Sequence, residues 1–282
     1  MKKSIFLILT TILVFSDSCA VPKNKGIQVR FETTSGDITV QLYAETAKHQ
    51  DNFMKLVNVG FYNGVLFHRV IAGFMIQAGD PDSKKAKAGT SLGSGDMGYT
   101  IPAELKYPNC YHKRGALSAA RQSDASNPLK VSSGCQFYIV TGKVFSESSL
   151  DSMENSNKMK LEVKLFQNIV KSKQVEIAKY NKERNQSKLD KLRDSILAIV
   201  HIDMEKTKSY KFTPQQRNDY KTIGGTPHLD GEYTVFGEVT QGMDIVEKIS
   251  KSKTDLNDRP LIDVRVMKAT IIKQRKNAST VM

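Results

Sequence analysis

Cysteine is scarce in this sequence. Three occur in 282 residues, Cys19, Cys110 and Cys135, and none stands in a CxxC or in a Cys/His spacing that would hold zinc. A structural zinc site is therefore not expected. With Cys19 set aside, two thiols remain, and whether they pair depends on a Cα separation that chain spacing does not give. Long apolar runs are missing too. The nearest candidate, residues 5–15 after Lys2-Lys3, is too short to span a bilayer as a helix. Positive charge is plentiful, at a formal +13, but the lysines are spread along the whole chain. There is no basic helix and no aromatic-rich sheet motif, so a solvated lysine-rich exterior is expected and nucleic acid is not expected as a partner.

The apolar run belongs to a leader. Residues 1–18 have the layout of a secretory signal: a basic start, an apolar stretch, then Ser16-Asp17-Ser18 before Cys19. This resembles a bacterial lipoprotein signal, in which the cysteine becomes the acylated first residue of the mature chain. Asp17 and the lack of leucine near the cleavage point depart from that pattern, so cleavage without lipidation stays open. An extracytoplasmic location is expected, lipid-anchored through Cys19 in the periplasm or at the outer membrane, with residues 19–26 as a short linker.

Residues 27–147 read as short strands and turns. IQVRFETTSGDITVQLY gives two alternating strands, with Val29, Phe31, Ile38, Val40 and Leu42 on apolar faces and a turn at Ser35-Gly36-Asp37. Residues 46–59 predict a helix, with Thr46 as N-cap, Phe53, Leu56 and Val57 as its stripe, and Gly60 to stop it. GVLFHRVI, FMIQAGD, GYTIPAEL, RGALSAAR and CQFYIVTG follow, short and mostly bounded by Gly, Asp or Pro, which argues for a barrel or sandwich. The pattern then changes. Across residues 148–222 glycine is absent and Pro214 is the only proline. Val163, Phe166, Val170 and Ile177 form one apolar stripe; Leu189, Leu192, Ile196 and Ile199 form another, with NKERNQS between them and Ser187 as a candidate N-cap. An antiparallel helical hairpin is expected there. Strands return over residues 223–272, in GGTPHLDGEYTVFGEV and IDVRVMKATII, around a short helix through Met243, Ile245, Val246 and Ile249. The simplest division is one β domain in two pieces, 27–147 and 223–272, interrupted by a helical insertion at 148–222 and followed by a polar tail, 273–282.

The segment GVLFHRVIAGFMIQAGDP, residues 64–81, carries polar groups among large apolar ones. Strict alternation puts Leu66, His68 and Val70 on one face and Phe67, Arg69 and Ile71 on the other; it pairs Phe74 with Ile76, and Met75 with Gln77. Arg69 and Gln77 then share their faces with apolar side chains and need partners, a ligand being one candidate. His68 reads as a structural hydrogen-bonding residue, and Asp80 and Asp82 as turn caps.

Five segments in order closely resemble the cyclophilin-type peptidyl-prolyl cis–trans isomerases: NFMKLVNVGFYNGVLFHRVIAGFMIQAGDP, GYTIPAEL, GALSAAR, CQFYIV and HLDGEYTVFGEV. The resemblance covers residues 27–144 and 223–272 and none of the insertion. It implies a mainly β fold, a closed eight-stranded antiparallel barrel capped by two helices, here carrying an inserted α-helical hairpin. It implies isomerisation of Xaa-Pro bonds in proline-containing polypeptides, with no cofactor or metal, by a monomer. Arg69 matches the catalytic arginine, with Gln77 beside it, and Phe74 and Met75 match pocket residues. Ala120 and Arg121 stand where the family has an Ala-Asn pair that contacts substrate through its main chain. Gln136 matches a second substrate-side glutamine, Leu229 the leucine of the pocket wall, and Tyr138 replaces the phenylalanine of the proline-pocket floor. His228 takes the place of a tryptophan found in many members, and Tyr233 that of a histidine; loss of the indole implies weak cyclosporin binding.

The residue types suit that chemistry. An Xaa–Pro bond turns slowly because amide resonance must be broken, at a barrier of roughly 20 kcal/mol. No bond is made or cut, so neither nucleophile nor acid–base pair is needed. An apolar socket orients the pyrrolidine, and a fixed cationic donor meets the prolyl nitrogen as its lone pair localises in the twisted state. Arg69 is planar and always charged, and a neighbour such as Gln77 can hold it. The alternative is a chaperone module that grips Xaa-Pro segments with little or no catalysis and holds clients along the insertion.

Overall fold

The computed structural model describes residues 26–206 and 211–272; the leader with Cys19 and the tail 273–282 lie outside the described residues. The strands are β1 Gln28–Thr33, β2 Gly36–Leu42, β3 Phe67–Ile71, β4 Met75–Ala78, β5 Thr100–Ile101, β6 Ala116–Ala119, β7 Ser132–Ser133, β8 Phe137–Val140, β9 Val235–Gln241 and β10 Val266–Ile272. Eight form one sheet in the order β10-β1-β2-β9-β6-β8-β4-β3, and every pairing in it is antiparallel; β5 and β7 pair apart from it.

The expected closed barrel is not what forms. No ladder joins β3 to β10, and the sheet stays open along that seam. The segments leading into the two strands meet at one isolated bridge, Leu66 to Arg265, and through bonds from Gly64 N to Val266 O (2.7 Å), Val266 N to Val65 O (2.9 Å) and Phe67 N to Val264 O (2.9 Å). Beyond Phe67 the edge of β3 is taken by a turn instead, with Val70 N donating to Asp258 O at 2.8 Å.

The divergence begins at a β-bulge. Phe67 faces Ala78 across β4, yet Arg69 faces Gln77, so His68 is an extra residue with no opposite number. One added residue inverts the alternation that follows it. Phe67, Val70, Ile76 and Ala78 therefore all point into the main core, whereas Arg69, Ile71, Met75 and Gln77 point outward. The expectation that Phe67 and Arg69 share a face is corrected here, because strict alternation does not survive a bulge.

Inside the sheet the core is aromatic. Phe31 stacks on Phe137 at 5.6 Å, and Phe53 meets Phe137 and Phe236 edge-on at 5.4 and 5.2 Å. Burying each such ring contributes about 2–3 kcal/mol of transfer free energy. Two helices pack against the sheet. In α1, Ala47–Asn58, His49, Phe53, Leu56 and Val57 are buried; Thr46 precedes it without making a side-chain cap bond. In α6, Met243–Ser250, Val246 and Ile249 are buried. Cys110 and Cys135 are both unpaired and buried, and burial pushes each thiol up to about 11.

The insertion holds four helices rather than a simple hairpin: α2 Glu147–Ser172, α3 Gln174–Lys182, α4 Gln186–Lys206 and α5 Pro214–Thr222. The first expected stripe is cut at Lys173, which lies between α2 and α3 with φ −99° and ψ 7°. In α4 the inward residues are Ile196 and Val200, and the expected Ile199 faces out. The base of this arm is its best-packed part: Leu150, Phe212 and Tyr220 form a buried cluster against Tyr111, Phe145 and Met153.

The bulge places His68 in an unusual setting. It is buried, and neither ring nitrogen meets a hydrogen-bond partner, contrary to its expected role. Burial lowers its pKa from 6.5 to about 4. A histidine whose folded pKa lies below its unfolded value contributes stability that is complete above the unfolded value and lost as pH falls through the folded one. Between pH 7 and 4 the wild type should lose up to about 3 kcal/mol more stability than His68→Gln. Urea unfolding at the two pH values measures the difference; equal losses would remove His68 from the acid response.

Candidate active site

The outward row that the bulge creates runs across four strands. Arg69 faces Gln77, Gln77 faces Tyr138, and Tyr138 faces Ser118. A parallel apolar row, Ile71 to Met75 to Val140, runs beside it. Phe74, Ala120, Leu229 and Tyr233 come in from loops to pack with Met75, Ala116, Tyr138, Val140 and Val235, making a second apolar cluster on the outside of the sheet. Gly73 supplies the tight β3–β4 turn that presents Phe74, at φ +69°, a backbone conformation that glycine adopts without steric cost.

These residues line a cleft of about 770 Å³. Arg69, Phe74, Met75, Gln77, Ala120, Arg121, Gln136, Tyr138, Leu229 and Tyr233 all border it. His228 does not; it stacks behind Phe74 at 5.7 Å with the rings 26° apart, and burial lowers its pKa.

Polar groups around the cleft are held by specific partners. The Arg69 guanidinium is half-exposed, and its Nε lies 3.4 Å from an Asp258 carboxylate oxygen. Asp258 sits at φ +63°, in the same turn whose carbonyl caps the β3 edge, so one backbone turn both covers the strand and braces its arginine. Gln77 does not bond to Arg69. Its Nε2 donates to Gln136 Oε1 at 2.9 Å, and Gln136 Nε2 donates in turn to the Gly93 and Gly95 carbonyls at 3.0 and 2.7 Å. The 93–95 loop is tied down from its other side by Asp80, which accepts from Gly93 N and Gly95 N and also caps a short 3-10 turn through Asp82 N.

On the opposite wall the Arg121 guanidinium is buried 4.3 Å over the Tyr233 ring, with Nε donating to Glu232 O and Nη1 paired to Asp124. Ala120 N–H and C=O are engaged with Gln136 O and Ser133 N at 3.0 and 2.8 Å. The Arg121 main chain makes no such bond among the described residues. Tyr138 meets Tyr233 edge-on at 6.0 Å, and its hydroxyl lies 3.0 Å from His112 Nε2. Burial raises the Tyr138 phenol well above its usual value, so it remains protonated.

The arrangement has the chemistry of a peptide-binding socket: one accessible guanidinium at the edge of an apolar floor, with amides fixed by each other. Among the described residues no three His, Cys, Asp or Glu side chains are placed to hold a metal. Sequence reasoning missed Asp258, His112 and Asp230. Asp258 carried a faint signal, since Asn-Asp before Arg259 is a turn sequence that tolerates positive φ.

Comparison with known proteins agrees with this geometry. The model of the cyclophilin type peptidyl-prolyl cis-trans isomerase family matches residues 28–175 and 158–271. A putative peptidyl-prolyl cis-trans isomerase of Staphylococcus saprophyticus is 28% identical over 248 residues, covering 87% of this chain and 92% of its own. Peptidyl-prolyl cis-trans isomerase-like 1 of Emericella nidulans is 25% identical over 245 residues, covering 86% and 94%. In fold, the crystal structure of a Cryptosporidium parvum cyclophilin type isomerase superposes with a TM-score of 0.50 at 19% identity, covering 88% of this chain and 99% of that one. With its outward Arg69 and Gln77 over an apolar socket, and with the family pattern running through most of its length, the chain belongs to the cyclophilin-type peptidyl-prolyl cis-trans isomerases.

Proposed function

We propose that this isomerase turns Xaa-Pro bonds in the outer-face cleft, with Arg69 as the group that stabilises the twisted state. The observation that carries the reading is the placement of one half-exposed guanidinium, braced by Asp258, at the rim of an apolar socket. The pyrrolidine enters between Phe74, Met75, Tyr138 and Leu229. Arg69 then donates to the prolyl nitrogen as resonance is lost, an interaction that strengthens only as the bond twists. The Gln77 amide and the Arg121 main chain hold the flanking peptide. Asp258 and the Gln77–Gln136 pair fix these donors before substrate arrives, so little reorganisation is needed during the reaction.

A second reading draws on the arm. Met159, Val163, Val175, Leu197 and Ile202 are exposed there, which suits a surface that holds unfolded clients. For location, the leader and Cys19 support an extracytoplasmic, lipid-anchored protein acting on folding exported chains.

Three outcomes are expected. In NMR exchange on an Ala-Pro peptide, the wild type accelerates isomerisation, Arg69→Ala loses about 10²-fold or more, and Asp258→Ala loses several-fold. A wild type that binds the peptide without accelerating exchange would hand the function to the client-holding reading. Cyclosporin should bind weakly because an imidazole stacked behind Phe74 replaces an indole wall, and tight inhibition in a titration would contradict this. Cys19→Ala should shift the protein from the membrane fraction to the soluble extracytoplasmic fraction; unchanged fractionation would refute the anchor.

A further inference from the structure

We propose that the helical insertion sets the floor of the proline pocket through a buried chain of four side chains, making His112, Asp230 and Tyr220 positioning residues for catalysis. This rests on the pocket assignment above. The chain begins at Tyr138, whose hydroxyl lies 3.0 Å from His112 Nε2. His112 Nδ1 lies 3.0 Å from Asp230 Oδ1, and Tyr220 of α5 donates its hydroxyl to Asp230 Oδ2 at 2.6 Å. All four residues are buried. The Asp230 carboxylate accepts from Nδ1–H, which leaves Nε2 as the acceptor of the Tyr138 proton, so the network has one consistent direction.

Each link is fixed by more than one contact. His112 N also donates to Asp230 Oδ1 at 2.8 Å, and His112 O accepts from Thr226 N at 2.8 Å. The Tyr138 and His112 rings lie nearly parallel, 6.1 Å apart at 12°. At the far end, α5 is held by a capping box between Thr213 and Gln216, by the Tyr111–Asp219 bond and by Arg217 paired to Glu147, Asp151 and Glu154 of α2. Losing a partner in this buried setting costs desolvation that water cannot offset, so each link is held by its neighbour.

Tyr138 is where the chain meets the reaction. A phenylalanine there would keep the floor but have nothing for His112 to hold. The hydroxyl makes the tilt of the ring answer to α5, and ring tilt decides how the pyrrolidine seats. The base of the insertion is thus part of the pocket's scaffold, distinct from the outer arm, where α3 buries no residue.

The test is a double-mutant cycle with peptide exchange as readout. Tyr220→Phe should raise the KM by about three- to tenfold with kcat within about twofold, the sign of lost uniform binding. In a Tyr138→Phe background the same substitution should change KM by less than about 1.5-fold, since the link is already cut. Asp230→Asn, one link nearer the floor, should show the same dependence on background. Equal effects in both backgrounds, or none in either, would overturn the proposal. A second readout does not need turnover: in protein carrying ¹³C-labelled tyrosine, Tyr220→Phe should move the Tyr138 ring signals, and unmoved signals would also overturn it. A wild type without isomerase activity would therefore refute the pocket assignment while leaving this coupling separately testable.

Discussion

One extra residue in a strand organises this molecule. The sheet needs Phe67, Val70, Ile76 and Ala78 on its inner face to build the aromatic core, and the proposed chemistry needs Arg69 and Gln77 on the outer one. Phe67 and Arg69 are two apart, so a regular strand would send both the same way. Either a guanidinium would enter a core of phenylalanines or a phenylalanine would leave it. The bulge at His68 removes that conflict, and the strand, the seam and the site all follow from it. Its cost is local: His68 is buried with unsatisfied nitrogens, and β3 drifts from β10, so the Asp255–Arg259 turn must cover its edge. That cover brings Asp258 to Arg69.

Around the cleft, polar groups are committed to one another more than to solvent. Gln77, Gln136 and the 93–95 carbonyls form one closed set, Arg121, Tyr233, Glu232 and Asp124 another, and Tyr138, His112, Asp230 and Tyr220 a third. Arg69 is the exception in keeping much of its guanidinium exposed while tethered through a single nitrogen. A site built this way is fixed everywhere except at the group proposed to meet a developing lone pair. Such stiffness suits a reaction in which no bond is cleaved and the catalyst's task is geometric.

The lining of the cleft was more legible in the sequence than the fold around it. Ten of the eleven cleft residues chosen from motifs do border one cavity, because ordered motifs record which side chains must converge. His228 does not border the cleft but stacks on Phe74, which does, since a motif gives position along the chain and not which of two stacked rings lines a cavity. Alternation failed at His68 because a bulge leaves no mark in a hydrophobic pattern. The break between α2 and α3 leaves no sequence mark, because Lys173 is neither glycine nor proline. Helix α5 is legible in the sequence, where Thr213, Pro214 and Gln216 spell a capping box with proline at its first position. Asp258, His112 and Asp230 lie far in sequence from the groups they brace, and single-chain periodicity carries no information at that range.

The two ends of the insertion meet at a clamp. Lys143 and Gly225 exchange main-chain bonds at 3.2 and 3.0 Å, and Gly142 approaches so closely that a Cβ on it would lie 2.4 Å from the Gly225 Cα. To the sheet, roughly eighty intervening residues therefore count as a turn of almost no span, and the entropy of closing so long a loop grows only with the logarithm of its length. Beyond the α5 base that braces the pocket, an arm rooted like this can lengthen, shorten or be exchanged without moving a strand. Two glycines at the junction thus let the outer arm, α2 to α4, vary in length while its α5 base stays tied to the sheet.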